Sequence, residues 1–376
     1  MRPTINSTMA VTGLASSLDI FLTDVRVISS PFITFAVFSP AGLANTLNND
    51  RPQTRPGGRM LPPVVLSGIT YAGAIALMAC GITIIYMSTR TFNFAHATMA
   101  TWGFYITYVC YMLYGGAPYQ YFPLSFLFGA MLGVICYFGI NRPLLRREAS
   151  PITLMMSTMG YDIALLATIQ IFCDYLTYKL RLYPRRVIMS TYETMVWGVP
   201  ASFFISLILA VAIPVALHMF LTMTKFGVAM RATIENPTLA NIIGIDAEKV
   251  YLASWIIGGG LASLGGAIVS MTITGTPVMG NMIIVTMFAG SILGGLYSAY
   301  GSLLGGFVVG LAEYVGTWLL ASYWGGWLLG YRMVIPLIIM AGSLLVFPEG
   351  LAGLPWGALL AALKGALPGK GKEVSS

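Results

Sequence analysis

The chain has 376 residues, of which 57% are hydrophobic and 9% are charged, and its formal net charge at pH 7 is +7. This composition excludes an ordinary soluble domain, in which about 25% of residues are charged, and indicates an integral membrane protein. Excess Lys and Arg is typical of the cytoplasmic loops of membrane proteins, so nucleic acid is not expected as a partner.

The first 62 residues form an N-terminal extension of mixed polarity. Within it, residues 27–44 are moderately apolar but contain Ser and Pro, which predicts either an additional span or an interfacial helix. A linker rich in Asn, Arg, Pro and Gly follows. We interpret residues 63–353 as the transmembrane domain and residues 354–376 as a cytoplasmic tail.

Nine long apolar segments follow the linker. A helix needs about 20 residues to cross about 30 Å of hydrocarbon, and it satisfies its own backbone hydrogen bonds in lipid. The segments therefore predict an all-α membrane protein, a polytopic helical bundle of nine spans, or of ten if residues 27–44 also cross. The predicted spans lie near residues 64–89, 95–115, 121–140, 152–173, 203–222, 250–273, 281–297, 302–321 and 331–347.

Basic residues predict the orientation of the bundle, because Lys and Arg concentrate in cytoplasmic loops. Three groups agree on the cytoplasmic side of the plasma membrane: Arg142, Arg146 and Arg147; Lys225, Arg231 and Lys249; and Lys364, Lys370 and Lys372. This orientation places a fourth basic group outside, against the bias: Lys179, Arg181, Arg185 and Arg186.

Asn93 and His96 lie where the first strong span ends and the second begins. Residues three apart share a face of a helix, and a buried amide and imidazole would need hydrogen-bond partners. Both residues are candidates for a translocation path. The alternative is a structural turn in which His96 caps backbone carbonyls.

Two carboxylates, Asp162 and Glu313, fall near the middle of predicted spans. Each would cost about 3 kcal/mol at the centre of an isolated helix, so each is expected to face the bundle or a wet path. No Lys or Arg lies mid-span to pair with them. Three interpretations stay open: proton or cation sites, protonated structural hydrogen-bond donors, or cavity-lining groups for a substrate ammonium.

The segment from Lys225 to Lys249 is the main polar interruption of the apolar region. Asn236 and Pro237 are typical of a helix cap and first turn, and Gly244 is typical of a helix stop, which predicts a two-turn helix over residues 237–243. Its apolar residues share one face, which can bury against a partner or the bundle: Leu239, Ile242 and Ile243. A merely solvated connecting helix is the alternative.

The stretch from Gly258 to Gly310 holds fourteen of the 42 glycines. Small residues spaced four apart allow helix backbones to approach closely in a membrane, so tight packing is expected here. The same glycines permit short or broken helices near residues 294–306, as transporters use around a translocation path.

Motifs for catalysis are absent from the sequence. There is no G-x-x-x-x-G-K-[ST] phosphate loop, so the chain is not expected to hydrolyse ATP by that route. The chain has only two His residues and no clustered carboxylates, so no hydrolytic centre is predicted. Its four Cys residues lack metal-ligand spacing, so no metal site is predicted either. We therefore expect a protein that is not an enzyme and that binds no cofactor itself.

Four motifs, in order over about Gly68 to Gly353, resemble the inner-membrane permease subunits of ABC importers for branched-chain amino acids. They are Gly81–Tyr86 with Asn93–His96; Met230, Arg231, Ala232, Asn236, Ala240, Gly244 and Ile245; Leu293–Gly295 through Gly301, Gly305 and Gly306; and Phe347–Leu351. Glu313 also stands where the family often has Glu. The chain departs from the pattern at Ala97 and Tyr297, where Gly is usual, and at Asp162, where a small or hydroxyl residue is common.

The resemblance implies a type II-like ABC importer permease. Two ATP-binding subunits would use ATP and Mg and would dock on a coupling loop formed by residues 225–249, with these contact candidates: Met230, Arg231, Ala232, Glu235, Asn236, Pro237, Ala240 and Gly244. A second permease, expected to be a different but related chain, and an extracytoplasmic solute-binding protein would complete the assembly in the bilayer. The outer basic residues Lys179, Arg181, Arg185 and Arg186 are candidates for docking that binding protein.

Other functions stay open from the residues. A secondary transporter could couple uptake to protons through Asp162 and Glu313 without any ATPase. Related permeases carry urea or other small amides, and a channel or membrane scaffold would show no concentrative uptake.

Overall fold

A computed structural model describes residues 62–346 and 350–353. The possible span at residues 27–44, the basic residues of the tail and the start of the last motif, residues 347–349, lie outside the described residues.

The described part of the chain is helical except for one short hairpin and its connecting loops. Its α-helices are α1 (Pro63–Thr89), α2 (His96–Tyr114), α3 (Phe122–Cys136), α4 (Arg142–Arg146), α5 (Pro151–Leu180), α6 (Ala201–Met223), α7 (Lys225–Glu235), α8 (Pro237–Ile242), α9 (Ala247–Val269), α10 (Met279–Gly294), α11 (Ala299–Leu311), α12 (Thr317–Trp324) and α13 (Val334–Val346). The strands β1 (Met195–Val196) and β2 (Val199–Pro200) form the antiparallel hairpin.

Within the described residues, helices cover most of each of the nine predicted apolar segments, which confirms an all-α polytopic membrane protein. By length and composition, however, seven segments of the described residues can cross a membrane: Pro63–Thr89, Pro118–Arg146, Pro151–Leu180, Ala201–Met223, Ala247–Val269, Ala299–Trp324 and the segment that begins at Val334. Of the helices that correspond to the other two predicted spans, α10 has 16 residues and is shorter than these seven, and α2 is not among them.

Helices α1 and α9 form the centre of the bundle. Both are buried along most of their length, and they pack against each other, against α2 and α3, and against α11. The crossings depend on glycine: a Cβ at Gly103 would overlap the backbone of Ser263, and one at Gly266 would overlap that of Ala100. The predicted role of the glycine-rich segment in close packing is confirmed.

The predicted break near residues 294–306 occurs between α10 and α11. Gly295 has φ +102°, which favours glycine, and it ends α10. Ser298 then caps α11, because its Oγ accepts a hydrogen bond from the amide of Gly301 at 3.1 Å. Gly350 packs against Gly295, so the described end of the last motif also contacts this break.

Helix α2 begins inside the bundle. The chain turns at Arg90, which has φ +56°, and residues 91–95 fold back along α1. His96, the first residue of α2, lies 3.0 Å through Nε2 from the carbonyl oxygen of Met78, the sixteenth residue of the 27-residue helix α1. Because α2 starts partway along α1, a polar segment reaches the interior.

The bundle has two ends, defined here by α1. At the loop end, where α1 ends, Arg90 donates a hydrogen bond to the carbonyl oxygen of Ile234 at 3.2 Å. At the far end, where α1 begins, Val64 and residues 272–274 line one cavity of about 400 Å³. Val187 pairs with Gly275, so the basic segment that precedes Val187 lies at the far end.

Candidate functional site

Residues 225–249 form two helices, α7 and α8, joined at Asn236. The side chain of Asn236 accepts a hydrogen bond from the amide of Leu239 at 3.0 Å, and Pro237 is the first residue of α8. Gly244 follows the helix with φ +89°. The predicted cap, first turn and glycine stop are confirmed, although α8 ends at Ile242, one residue earlier than predicted.

Helix α7 is the part of this loop that the sequence analysis missed. Its buried residues Gly227, Met230 and Thr233 recur every three positions, and this spacing was a usable signal for an amphipathic helix. Arg231 and Glu235, two of the docking candidates, are exposed on the other side.

Helix α8 presents apolar side chains to the outside. Leu239, Ile242 and Ile243 are 56%, 76% and 66% exposed, whereas Ala240 is buried. The apolar face therefore does not pack against the described bundle. An exposed apolar surface on a capped helix is typical of a docking site for another protein.

Contacts link α8 to the rest of the bundle. Met230 and Ala240 are buried beneath the loop, and the amide of Ile245 donates to the carbonyl oxygen of Ala240 at 2.9 Å. The guanidinium of Arg90, which binds the end of α7, also lies 4.8 Å from the ring centroid of Tyr297. Displacement of α7 and α8 would thus reach α1 and the break between α10 and α11.

The first turn of α9 is fixed to α4 at the loop end. Glu248 accepts hydrogen bonds from Nε of Arg146 at 2.7 Å and from Nε of Arg142 at 3.0 Å. Both arginines belong to the basic loop that the sequence analysis grouped with residues 225–249. The structure brings these two regions together at one end.

Asn93 and His96 are both buried, but they do not share a helix face. Asn93 lies in the irregular segment before α2, so that prediction is wrong. His96 contacts a backbone carbonyl oxygen through Nε2, as the structural alternative proposed. Both amide atoms of Asn93 and Nδ1 of His96 have no hydrogen-bond partner within the described residues.

Asp162 lies on the buried face of α5 and contacts the first turns of two other helices. Its Oδ1 accepts a hydrogen bond from Thr98, the third residue of α2. Its Oδ2 accepts one from Nδ2 of Asn281, the third residue of α10, at 3.2 Å. Among the ion pairs of the described residues, none includes Asp162.

Glu313 lies in a π-helical turn, Ala312–Gly316, between α11 and α12. It is 1% exposed, and its carboxylate accepts hydrogen bonds from Tyr71 Oη at 3.0 Å, Thr286 Oγ1 at 2.7 Å and Arg332 Nε at 2.8 Å. The guanidinium of Arg332 also lies 5.2 Å from the ring centroid of Tyr71. Three donors surround one carboxylate.

Arg332 was missed as the partner of Glu313. It stands at the edge of the predicted span 331–347 rather than mid-span, and it lies between a 3₁₀ turn, Gly326–Tyr331, and α13. A guanidinium at 2.8 Å favours an ionised carboxylate. The arrangement therefore favours a structural role over a protonated donor or a free proton site.

The family model for the permease component of branched-chain amino acid transport systems matches residues 64–344. The chain belongs to this family. The match covers α1 to α12 and most of α13, and so includes the loop and both carboxylates.

Three relatives align over most of their own lengths. The probable branched-chain amino acid transport permease protein LivH of Methanocaldococcus jannaschii is 36% identical over 294 residues, which cover 78% of this chain and 93% of that protein. The high-affinity permease protein BraD of Pseudomonas aeruginosa is 27% identical over 303 residues, 77% and 95% of the two chains. LivH of Salmonella typhimurium is 24% identical over 299 residues, which cover 77% of this chain and 95% of that protein. No solved structure matches the chain.

The far end of this permease-family chain carries the fourth basic group. Lys179 lies in the last turn of α5, and Arg181 ends that helix with φ +53°. Arg185 donates to Asp174 at 2.6 Å, and this carboxylate raises the pKa of the Arg185 guanidinium further above its ordinary value. Arg185 is thus already paired, and all four basic side chains of this group are exposed.

Exposed aromatic side chains also lie at the far end. Tyr178 and Tyr183 are each 84% exposed and Trp197, in the turn of the hairpin, is 87% exposed. Exposed Tyr, Trp and Arg together are typical of protein interfaces. The far end therefore offers a second contact surface, separate from α8.

Proposed function

We propose that the chain is the membrane-spanning permease subunit of an ABC importer that carries branched-chain amino acids into the cell. The observation that carries the proposal is α8, a capped helix with an exposed apolar face at the loop end of a membrane bundle. Membership of the permease family and the names of the three relatives support the substrate class.

ATP hydrolysis would occur in two separate ATP-binding subunits, which would hold the ATP and Mg, while this chain binds no cofactor. One of these subunits docks on α8, with Leu239, Ile242 and Ile243 as the apolar contacts and Arg231 and Glu235 beside them. Closure of the two subunits displaces α7 and α8. The contacts of Arg90 with Ile234 and Tyr297 pass this displacement to the bundle, which shifts between inward-open and outward-open states.

In this assembly the loop end faces the cytoplasm and the far end faces outward, in the plasma membrane. The placement of Arg142, Arg146 and the loop at one end, opposite the segment that holds Arg186, supports this orientation. A second, related permease completes the translocation path. An extracytoplasmic solute-binding protein docks at the far end. Within the described residues, three of the four basic docking candidates there form no ion pair, and Arg185 pairs with Asp174.

The first test is Ile242→Asp, with Ile188→Asp as the control. Both residues are exposed isoleucines outside the long helices, but Ile188 lies at the far end. A charge in the centre of an apolar interface should weaken capture of the ATP-binding subunits about tenfold or more, because few interface residues carry most of the binding energy. Co-purification in mild detergent measures this, and equal capture by both variants would contradict the proposal.

Uptake into vesicles separates the alternatives. ATP-dependent uptake of leucine supports the proposed importer, whereas ATP-dependent uptake of urea without leucine supports a permease for small amides. Uptake that survives ATP depletion but collapses with a protonophore would instead support a proton-coupled transporter. A channel or scaffold would concentrate no solute.

A further inference from the structure

We infer that Asp162, Thr98 and Asn281 form a subsite for the ammonium group of an amino acid in transit. These three residues, here called the Asp162 cluster, join α5, α2 and α10. The inference rests on the proposed function and adds to it the group of the substrate that this chain recognises and the residues that do so.

The depth of the Asp162 cluster suits a translocation path. Asp162 is the twelfth of the thirty residues of α5, about 17 Å from the first residue at 1.5 Å per residue. Helix α2 starts beside the middle of α1, so its third residue, Thr98, also lies inside the bundle. A polar group at this depth is costly in lipid, and such groups mark substrate or ion pathways.

Opposing effects act on the ionisation of the Asp162 carboxylate. Thr98 and Asn281 stand in the first turns of α2 and α10, and the positive ends of both helix dipoles stabilise a negative charge there. Two hydrogen bonds to the carboxylate act in the same direction, whereas burial opposes them. A bound cation would offset the cost of burial, and no Lys or Arg of the described residues pairs with Asp162.

The free acceptors of the cluster match an ammonium group. A carboxylate offers about four acceptor positions, of which Thr98 and Asn281 occupy two. Thr98 has a single hydroxyl proton, and its contact with Oδ1 of Asn281 is longer, at 3.3 Å, than its contact with Asp162. Oδ1 of Asn281 is therefore also free to accept, and an ammonium donates three hydrogen bonds.

The cluster is reachable from the surface, and apolar side chains continue from it. Asn281 is exposed and its neighbour Met282 is 50% exposed. Val285 and Phe288 follow at one and two turns along the same face of α10, and the ring of Phe288 lies 5.4 Å from that of Phe94. A charged end next to a half-buried apolar strip fits an amino acid with an apolar side chain.

The segment of Phe94 is fixed to α5 one turn from Asp162. The amide of Phe94 donates a hydrogen bond to Oγ1 of Thr158 at 3.3 Å. Thr158 precedes Asp162 by four residues on the buried face of α5. The polar cluster and the aromatic strip therefore share one framework, in which the ammonium and the side chain of a substrate have separate places.

The test uses the complete transporter, with Asp162→Asn as the variant and Glu148→Gln as the control. Glu148 is an exposed carboxylate in the turn before α5. Loss of a charge-assisted hydrogen bond should lower leucine uptake about tenfold or more in Asp162→Asn and leave it unchanged in the control. Asp162→Glu keeps the charge and should retain more uptake than Asp162→Asn.

A second measurement asks whether the substrate amine is the group recognised. Binding of leucine and of 4-methylpentanoate, which has the same side chain and carboxylate but no amine, is measured on the same purified complexes. Asp162→Asn should weaken the binding of leucine about tenfold and leave the binding of 4-methylpentanoate unchanged. Equal weakening of both ligands, full uptake by Asp162→Asn, or uptake that requires sodium or a proton gradient would overturn the inference.

The outcome is distinguishable from failure of the proposed function. If the chain is an ABC permease but Asp162 does not bind the amine, the variant still captures the ATP-binding subunits and transports leucine normally. If the chain is not such a permease, the wild-type protein already fails to capture them.

Discussion

Asp162 and Glu313 are two carboxylates buried within membrane-spanning helices, yet their surroundings differ. Glu313 accepts from Tyr71, Thr286 and the guanidinium of Arg332. Asp162 accepts from one hydroxyl and one amide and has no cationic partner within the described residues. The difference teaches that depth alone does not assign a role to an intramembrane carboxylate. What decides the role is whether a neighbouring cation balances the charge of the carboxylate.

The energetic consequence differs as well. Breaking a buried ion pair by removing one partner is strongly destabilising, because an uncompensated charge remains. A carboxylate without a cation carries no such pair to break. We therefore expect changes around Glu313 to act on stability and changes around Asp162 to act on transport.

The largest expected effect is that of Arg332→Met, which leaves Glu313 ionised and unpaired. The variant should lose about 3–5 kcal/mol of stability, and the double variant Glu313→Gln with Arg332→Met should regain much of it. Thermal unfolding in detergent measures both. Asp162→Asn is the matched comparison, and it should shift the unfolding temperature little; if it destabilises the protein as much as Arg332→Met does, the distinction between the two carboxylates is wrong.

Local signals in the sequence were sufficient to predict α8 and its two ends. Asn236, Pro237 and Gly244 act within a few residues of one another, so cap, first turn and stop could be predicted without any tertiary contact. Helix α7 was missed although its buried positions had a helical spacing. The seven apolar helices that can cross a membrane were predictable because each carries its own hydrophobicity.

Long-range contacts are what the sequence could not provide. The partner of Glu313, Arg332, lies at the boundary of the last predicted span. A search for a basic residue in the middle of a span therefore could not find it. The start of α2 inside the bundle depends on the contact of His96 with Met78, eighteen positions earlier. Asp162 was recognised as a candidate, but its position between two helix N-termini follows only from the packing of α5 against α2 and α10.

A smaller effect compares two hydroxyl donors. Thr286→Val removes a donor from Glu313, and Thr98→Val removes one from Asp162, with nearly the same change of shape. A hydrogen bond to a charged group contributes about 1.5–3 kcal/mol, so Thr286→Val should lower the unfolding free energy by that amount and leave uptake unchanged. Thr98→Val should lower leucine uptake about tenfold. Normal uptake by Thr98→Val together with loss of uptake by Thr286→Val would reverse the assigned roles.

The smallest expected effect concerns Tyr71, whose hydroxyl donates to Glu313 while its ring supports Arg332. Tyr71→Phe removes the hydrogen bond and keeps the ring. Tyr105→Phe is the matched control, because Tyr105 is a buried tyrosine that donates to the neutral carbonyl oxygen of Pro184 at 2.9 Å. Bonds to charged acceptors contribute more than bonds to neutral ones, so Tyr71→Phe should destabilise the protein by about 1 kcal/mol more than Tyr105→Phe in chemical unfolding. Equal losses would mean that the Glu313 carboxylate is not ionised in the folded protein, and the contrast with Asp162 would then rest on Arg332 alone.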